Sequence, residues 1–268
     1  MTKYHSGYED HEFVAEFYDA VYAQYTGFSH DVDFFVNYSK KASGKTLELG
    51  CGTGRVLIPT AQAGCEVTGL DLSPYMLAKC REKLVSQAKE VQSRIKLIRG
   101  DMTNFTTGEQ YALVTIPFRA FQHLIQDSEQ KACLNCVHRH LATGGLFILD
   151  VFKPSLPRLT DTRYLMEMDV DPKIELSDGR ILRRTNRTDA FHPVEQYNDI
   201  ELIHYITYPD GRQERLVHAF PMRYFYRYEM EHLLALCGFK ITESFGDFDR
   251  SPFTADSPEM IFVAEKVG

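Results

Sequence analysis

The stretch that most constrains the fold is KTLELGCGTGRVLIPTAQAG, residues 45–64. Gly50, Gly52 and Gly54 stand at alternate positions between an apolar run and an amphipathic one. This pattern predicts a buried strand, a turn almost bare of side chains, and a helix. Glycine lets the main chain approach a ligand closely, and a helix N-terminus presents N–H groups that favour phosphates and carboxylates. We therefore predict a ligand-binding loop here; a tight turn without a ligand is the alternative.

Strand and helix patterns alternate from this loop to residue 154. Ser73 can cap one of the predicted helices, and Pro74 suits its first position. Alternation of this kind predicts parallel strands joined by crossover helices, which is the α/β fold class. The predicted strands are 46–49, 66–72, 94–101, 111–118 and 144–152, and the predicted helices are 55–63, 73–88 and 128–141.

A different pattern follows Pro154. Residues 160–225 hold β-rich runs without helical periodicity. Asp178-Gly179 and Asp210-Gly211 lie between these runs, and Asp-Gly is a strong hairpin signal. The sequence therefore predicts an antiparallel β insertion over residues 155–225.

Helical and strand patterns also precede the glycine loop and close the chain. Helices are predicted over 9–25, where apolar and tyrosine side chains recur every four residues, and over 31–41. A helix over 228–237 is followed by strands at 239–245 and 260–266. The predicted domains are an N-terminal helical cap (1–43), a core (44–154 and 226–268) and the β insertion (155–225).

Composition disfavours several classes of protein. The chain has 268 residues and a formal net charge of -7, which disfavours nucleic acid as a partner. No apolar run approaches the ~20 residues of a membrane span, and the polar, acidic N-terminus is unlike a signal peptide. Six scattered cysteines favour a reduced compartment. We therefore expect a cytoplasmic protein without membrane contact.

One cysteine-rich segment invites a zinc hypothesis. CLNCVHRH, residues 133–140, has one Cys pair within a predicted helix. Structural zinc needs four ligands at recognisable spacing, and a second Cys pair is missing from the sequence pattern. We therefore expect these cysteines on a buried helix face and expect no metal site.

The spacing of the glycines distinguishes two kinds of nucleotide site. The dinucleotide fingerprint is G-x-G-x-x-G. Its third glycine would fall at Arg55 when counted from Gly50 and at Leu57 when counted from Gly52. The pattern here is instead G-x-G-x-G, preceded by Glu48. A nicotinamide-dependent dehydrogenase is therefore disfavoured.

LELGCGTGR resembles the first motif of the class I S-adenosylmethionine (SAM)-dependent methyltransferases. Further matches follow in order: VTGLDLS, RGDM, TIPFRAFQHL and HLATGGLFILDVF, at the second to fifth strands. As a set they cover residues 44–154 and the terminal strands. The resemblance implies a Rossmann-like, seven-stranded, mostly parallel sheet with helices on both faces, to which the antiparallel β insertion is added. It also implies SAM as cofactor and S-adenosyl-L-homocysteine as product.

The resemblance further implies a set of cofactor-binding residues. Asp71 is implied to bind both ribose hydroxyls, since a carboxylate accepts two hydrogen bonds from a vicinal diol. Asp101 and the backbone of Met102 would meet the adenine, Arg55 the methionine carboxylate, and Glu48 the glycine loop and the cofactor amine. The implied set is Tyr18, Glu48, Gly50, Cys51, Gly52, Gly54, Arg55, Asp71, Leu72, Met76, Asp101, Met102 and Phe118.

Simpler structural roles stay open for several of these residues, among them Asp71, which could be a solvated helix cap. Glu48 could equally form an ion pair with a nearby lysine or arginine, since a buried carboxylate needs a partner. Arg55 could be a solvated arginine in the first turn of a helix. Tyr18, Met76 and Phe118 could be ordinary packing residues.

The residues after the fourth strand are the candidates for the acceptor site. His123 is the candidate general base, because a histidine pKa suits neutral pH. A surface histidine without a role is the alternative. Arg119 and Phe121 are candidate substrate-binding residues, although aromatic residues after a strand are more often part of the core.

These features predict a SAM-dependent methyltransferase that moves a methyl group to an oxygen or nitrogen of a small molecule. The N-P-P-Y-type motif used on exocyclic amines and side-chain amides is replaced by TIPFRAF. Methylation of protein or RNA, and a non-catalytic SAM-binding regulator, remain alternatives. The β insertion is predicted to cover the substrate site or to form a homodimer contact. The acceptor, the base and the oligomeric state stay open.

Overall fold

The computed structural model describes residues 11–23 and 29–267, and its strands form two sheets. In chain order the strands are β1 (Thr46–Leu49), β2 (Val67–Asp71), β3 (Ile95–Arg99), β4 (Tyr111–Ile116), β5 (Leu141–Phe152), β6 (Met168–Asp169), β7 (Ile174–Glu175), β8 (Ile181–His192), β9 (Tyr197–Thr207), β10 (Gln213–Arg223), β11 (Phe239–Phe245) and β12 (Glu259–Lys266).

The larger sheet has seven strands in the order β3-β2-β1-β4-β5-β12-β11. Strands β1 to β5 pair in parallel, whereas β12 runs antiparallel to both β5 and β11. The predicted fold class, with its terminal strand pair, is confirmed. Strand order reverses beside β1, and ligands of open α/β sheets bind where that reversal occurs.

The helices in chain order are α1 (Glu12–Tyr22), α2 (Ser29–Lys41), α3 (Leu57–Gln62), α4 (Pro74–Val85), α5 (Lys89–Ser93), α6 (Asp127–His140), α7 (Leu156–Thr160) and α8 (Arg227–Leu236). Ser73 caps α4 as predicted, because its hydroxyl accepts a hydrogen bond of 3.2 Å from the Met76 N–H. Helix α3 begins later than predicted, since residues 52–56 still form turns. Residues 9, 10, 24 and 25 of the first predicted helix lie outside the described residues.

Hydrophobic cores lie on both faces of the larger sheet. On one face, α2 packs Phe34 and Phe35 against Leu113 of β4 and Ile148 of β5. On the other face, α6 and α8 pack against the alternate side chains of the same strands; Val114, Phe147, Leu134, Val137 and Leu234 belong to that cluster. Because both faces are covered, β1 is buried throughout. The open sites are therefore at the ends of the strands.

The β insertion forms an antiparallel sheet in the order β10-β9-β8-β6, with β7 also paired to β8. Gly179 and Gly211, at the predicted hairpin positions, have φ angles of 83° and 84°. Helix α1 joins this sheet to the core. Phe17 of α1 packs among the buried side chains of the insertion, and Val14 packs against Met76 of α4.

None of the helices in residues 11–23 and 29–267 has the length and apolar character needed to cross a bilayer. Within the same residues, no three His, Cys, Asp or Glu side chains are grouped so that they could hold a metal ion. Cys133 and Cys136 of α6 are instead buried in the hydrophobic core.

Candidate active site

A cavity of about 480 Å³ opens where the carboxyl ends of β1 to β4 face the β insertion. Its volume is within the range of small-molecule sites. The core lines it with Gly50, Gly52, Leu70, Asp71, Leu72, Ser73, Met76, Gly100, Asp101, Met102, Thr103, Pro117, Phe118, Ala120, His123, Leu124, Ile125, Gln126 and Glu129. Helix α1 adds Tyr18, and the insertion adds Tyr197, Asp199, Phe220 and Pro221.

The glycine loop forms one wall of the cavity. Gly50, Gly52 and Gly54 have φ angles of 69°, 52° and 83°, in the left-handed region that favours glycine. A Cβ at Gly50 would lie 2.8 Å from the Cβ of Ala120, and one at Gly54 would lie 2.7 Å from the Cys80 Sγ. Apart from its two chain neighbours, no described residue has an atom within 4 Å of a Cβ built at Gly52, which lines the cavity. The loop therefore offers bare main chain to a ligand there.

Asp71, at the end of β2, is bonded to this loop. Its Oδ2 accepts a 2.7 Å hydrogen bond from the Gly52 N–H, and its Oδ1 accepts one of 2.8 Å from the Ser73 N–H. A carboxylate can accept several hydrogen bonds at once, so these two are compatible with a ribose diol at the same group. The position of Asp71 beside the open glycine therefore fits an adenosyl ligand.

The residues implied for the adenine lie along the same edge. Asp101 follows β3, and its Oδ1 accepts hydrogen bonds of 2.8 Å from the N–H and the hydroxyl of Thr103. Met102 and the exposed side chain of Leu72 also line the cavity. Met76 lines it too, but is buried and packs against α1, so both roles considered for it are compatible with its position.

The loop after β4 contains two strained residues. Phe118 and Arg119 have φ angles of 58° and 64°, which non-glycine residues rarely adopt. Their N–H groups donate to the two carboxylate oxygens of Asp150 on β5, over 2.8 and 3.0 Å. Burial raises the pKa of Asp150, and the nearby Arg119 opposes that rise. Asp150 therefore holds a loop whose Phe118 lines the cavity.

Arg119 and Phe121, the two candidate substrate-binding residues, lie behind the cavity wall. The Arg119 guanidinium is paired with the Glu259 carboxylate of β12 and lies 4.0 Å from the ring centre of Phe152. Phe121 is fully buried in the core, with its ring 5.5 Å from that of Phe225. The structure does not bring either side chain to the cavity, because both complete the packing of this loop.

His123, the candidate base, does line the cavity. It ends a short 3-10 helix, Ala120–His123, and its ring lies 5.3 Å from that of Phe220 in the insertion. Desolvation by the surrounding protein lowers its pKa to about 4. The imidazole is therefore neutral at pH 7, but its low basicity makes it a weak proton acceptor.

Glu48 and Arg55 support the glycine loop from behind. The Arg55 guanidinium donates two hydrogen bonds to Asp31 of α2, of 2.8 and 2.6 Å, and lies 4.6 Å from the ring centre of Phe118. Burial raises the pKa of Glu48 to about 8, and the charge of Arg55 opposes that rise. Arg55 is thus mostly buried and outside the cavity lining, since it ties the loop to α2.

Of the sixteen candidate residues, the cavity lining includes Tyr18, Gly50, Gly52, Asp71, Leu72, Met76, Asp101, Met102, Phe118 and His123. The others, Glu48, Cys51, Gly54, Arg55, Arg119 and Phe121, are outside that lining. Tyr18 reaches the cavity from α1; its ring lies 4.5 Å from that of Tyr22, which in turn lies 5.0 Å from that of Phe118.

Sequence reasoning missed the wall that the insertion supplies. Tyr197 and Asp199 lie two residues apart on β9, and Pro221 of β10 is paired with Asp199. Side chains two residues apart in a strand share a face. The spacing of a tyrosine and an aspartate in one strand was therefore the available signal, although which face meets the core could not be read from it.

This fold and this cavity together define the class of protein. A Rossmann-like sheet has a G-x-G-x-G loop at the switch point and a carboxylate at the end of the neighbouring strand. Residues 46–145 match the family model described as a methyltransferase domain. Residues 46–145 are thus a methyltransferase domain, and the fold of the chain is that of the class I SAM-dependent methyltransferases.

Comparison with known proteins agrees with this assignment. The chain is 25% identical over 231 residues to a putative methyltransferase of Geobacillus sp. (strain WCH70), covering 85% of this chain and 87% of the relative. It is 28% identical over 141 residues to dTDP-3-amino-3,6-dideoxy-alpha-D-glucopyranose N,N-dimethyltransferase of Streptomyces fradiae, covering 51% and 52%. The fold matches the CcbJ methyltransferase from Streptomyces caelestis with a TM-score of 0.74 and 24% identity, over 97% of this chain and 98% of that chain.

Proposed function

We propose that the protein methylates an amine nitrogen of a small, polar acceptor bound between the core and the β insertion. The observation on which this rests is the polarity of the cavity wall facing the insertion. Asp199 and Tyr197 line this part of the cavity from the insertion, and Gln126 and Glu129 line it from the core. Carboxylates attract an ammonium group, whereas they disfavour a polyanion such as RNA.

The identity of relatives supports the same acceptor class. The Streptomyces fradiae relative acts on an amino sugar, and its name specifies transfer to nitrogen. A sugar-sized acceptor also fits a cavity of about 480 Å³ that must hold the cofactor as well. An oxygen acceptor, which the sequence left open, is the second candidate, and it would not need a carboxylate nearby.

SAM supplies an activated methyl group on a sulfonium, so the protein's task is to position the two reactants and to exclude water from the site. The Gly52 main chain and the Asp71 carboxylate would hold the adenosyl part, since they form the wall at the switch point. Tyr18 and Phe118 would exclude water from the space between core and insertion. Asp150 keeps Phe118 in place through the strained backbone beside it.

The β insertion is also proposed as the cover of the acceptor. Tyr197, Asp199, Phe220 and Pro221 all come from it, so removal of the insertion would open one wall. The homodimer contact expected through the same segment remains a prediction, which sedimentation equilibrium tests.

The acceptor class can be tested with a matched pair of substrates. Nucleotide-linked sugars that differ only in a 3-amino or 3-hydroxyl group would be incubated with the enzyme and methyl-labelled SAM. We expect label on the amino sugar and none on its hydroxyl counterpart. Label on the hydroxyl sugar alone would contradict the proposal. Peptide and RNA acceptors, included as further arms, should stay unlabelled.

A further inference from the structure

We propose that Asp199 is a catalytic residue that accepts the proton the acceptor amine must lose, and that His192 conducts this proton to solvent. The inference rests on the proposed amine acceptor. A protonated amine has no lone pair, so it cannot attack the methyl group until one proton has left. A proton acceptor inside the cavity and an exit from it are therefore both needed.

The geometry of the insertion provides both a proton acceptor and an exit to solvent. Asp199 lines the cavity, and its side chain is only 12% exposed. Its Oδ2 lies 2.8 Å from the Nε2 of His192, whose side chain is 30% exposed. The His192 ring stacks on Tyr197, with ring centres 4.2 Å apart and planes inclined by 17°. Tyr197 therefore holds the imidazole in line with the carboxylate, at the boundary between cavity and solvent.

The other titratable groups of the cavity are less suited to this step. His123 is desolvated and uncharged, so unlike a carboxylate it brings no negative charge to attract the ammonium group that must lose its proton. Glu129 is exposed, and its Oε2 accepts a 2.8 Å hydrogen bond from the Gln126 N–H as part of a helix cap. Asp71 and Asp101 lie at the ends of β2 and β3, in the part assigned to the adenosyl group.

The Asp199–His192 pair has few titratable neighbours on the described elements around it. Strand β8 contributes His192, and β10 places Pro221, which does not titrate, opposite Asp199. On β9 Tyr197 has a raised pKa, mainly because of burial, with the charge of Asp199 adding to the rise. His123 and Glu129 are the titratable groups on the core side of this part of the cavity.

The proton balance of the step is simple. The ammonium N–H bond breaks and the proton binds the Asp199 carboxylate, which leaves a neutral amine with its lone pair. The protonated Asp199 carboxyl group then donates its proton from Oδ2 to the bare Nε2 of His192, and the imidazolium releases its Nδ1 proton to water. Proton exchange with solvent returns the imidazole to the Nδ1–H tautomer, so that Nε2 can accept again. The amine forms the new N–C bond while the S–C bond breaks and its electron pair stays on sulfur. Each further methylation of the same nitrogen would use the route again.

The test compares Asp199→Asn and His192→Gln with Asp189→Asn, a matched control. Asp189 is a carboxylate on β8 that is paired with Arg187 at 3.0 Å and is outside the cavity lining. With the amino-sugar acceptor at pH 7, we expect D199N to lower kcat/KM by about 100-fold or more, the usual scale of general base catalysis. H192Q should lower kcat by about tenfold with KM unchanged, and D189N should match the wild type.

The pH profile separates catalysis from a structural role. Raising the pH increases the fraction of neutral amine, so D199N activity should recover toward wild type in alkaline buffer, while SAM affinity stays equal in all variants. If D199N were as active as D189N, or if its lost activity did not return in alkaline buffer, this inference would be overturned. The proposed function would still stand. Wild-type enzyme that labels only the hydroxyl acceptor would overturn the proposed function and this inference with it.

Discussion

The Gly52 N–H donates a 2.7 Å hydrogen bond to the Asp71 carboxylate, which joins the glycine loop after β1 to the end of β2. The bond links the two features by which the cofactor site was anticipated. It also means that Asp71 has two tasks, since it holds the loop in the shape that exposes bare main chain and faces the cavity itself.

Replacement of Asp71 by Ala should weaken binding of S-adenosyl-L-homocysteine. The loss of charged hydrogen bonds to the ribose is expected to be worth about 1–3 kcal/mol. Isothermal titration calorimetry measures the affinity, and circular dichroism verifies that the variant is folded. An exposed carboxylate away from the site, Glu66, provides the control variant Glu66→Gln. Equal affinities of the folded D71A and E66Q proteins would count against the role of Asp71.

Gly54→Ala should destabilise the fold more than Gly64→Ala. Both glycines have positive φ, of 83° and 94°, so both variants strain the backbone by roughly 1–2 kcal/mol. At Gly54 the new Cβ also meets the Cys80 Sγ at 2.7 Å, whereas no described atom beyond the two chain neighbours lies within 4 Å of a Cβ at Gly64. Urea unfolding should show an additional loss of about 1–3 kcal/mol for G54A. Equal losses would show that the loop can shift to accept the methyl group.

Asp150→Asn should release the loop after β4. The variant replaces one acceptor oxygen with an NH₂ group that faces a backbone N–H, so Phe118 and Arg119 lose part of the support for their positive φ angles. We expect faster amide hydrogen exchange in residues 117–123 and a lower kcat, with SAM affinity nearly unchanged. Exchange rates equal to those of the wild type would mean that packing alone holds this loop.

Stability should depend on pH through Glu48. Burial raises its pKa to about 8 in the folded state, above its ordinary value of 4.5. The folded state therefore binds more protons than the unfolded state between these values, so the free energy of unfolding falls as pH rises from 4.5 to 8. For one group the slope is at most about 1.4 kcal/mol per pH unit.

Glu48→Gln isolates that contribution, because glutamine keeps the shape and cannot ionise. The free energy of unfolding of E48Q, relative to that of the wild type, should therefore increase as the pH rises. Urea titrations at several pH values across this window measure it. Parallel curves for the two proteins would show that Glu48 is ionised in the folded state.

Most of the fold could be predicted from local sequence. Alternating strand and helix patterns gave the parallel core, and Asp-Gly pairs gave the hairpins, because both signals depend on neighbouring residues. The start of α3 at Leu57 was missed because the glycine loop continues turning through residues 52–56.

The candidate site was only partly predictable. Residues fixed by the ends of strands, such as Asp71 and Gly52, line the cavity as their positions indicated. Arg55 could not be assigned, since its partner Asp31 is 24 residues away and only the folded chain brings them together. Arg119 was expected near the substrate because its partner could not be recognised from the sequence. That partner, Glu259, is 140 residues away along the chain and holds the guanidinium outside the cavity lining. The wall from β9 and β10 likewise depends on how the insertion docks.

The most direct test of the account is a crystal structure of the enzyme with S-adenosyl-L-homocysteine and an amino-sugar acceptor. The account requires the adenosyl group against the Gly52 main chain, with both ribose hydroxyls on Asp71. It also requires the acceptor nitrogen between the sulfur and Asp199. A ribose bound elsewhere, or an acceptor seated outside the cavity between core and insertion, would contradict it.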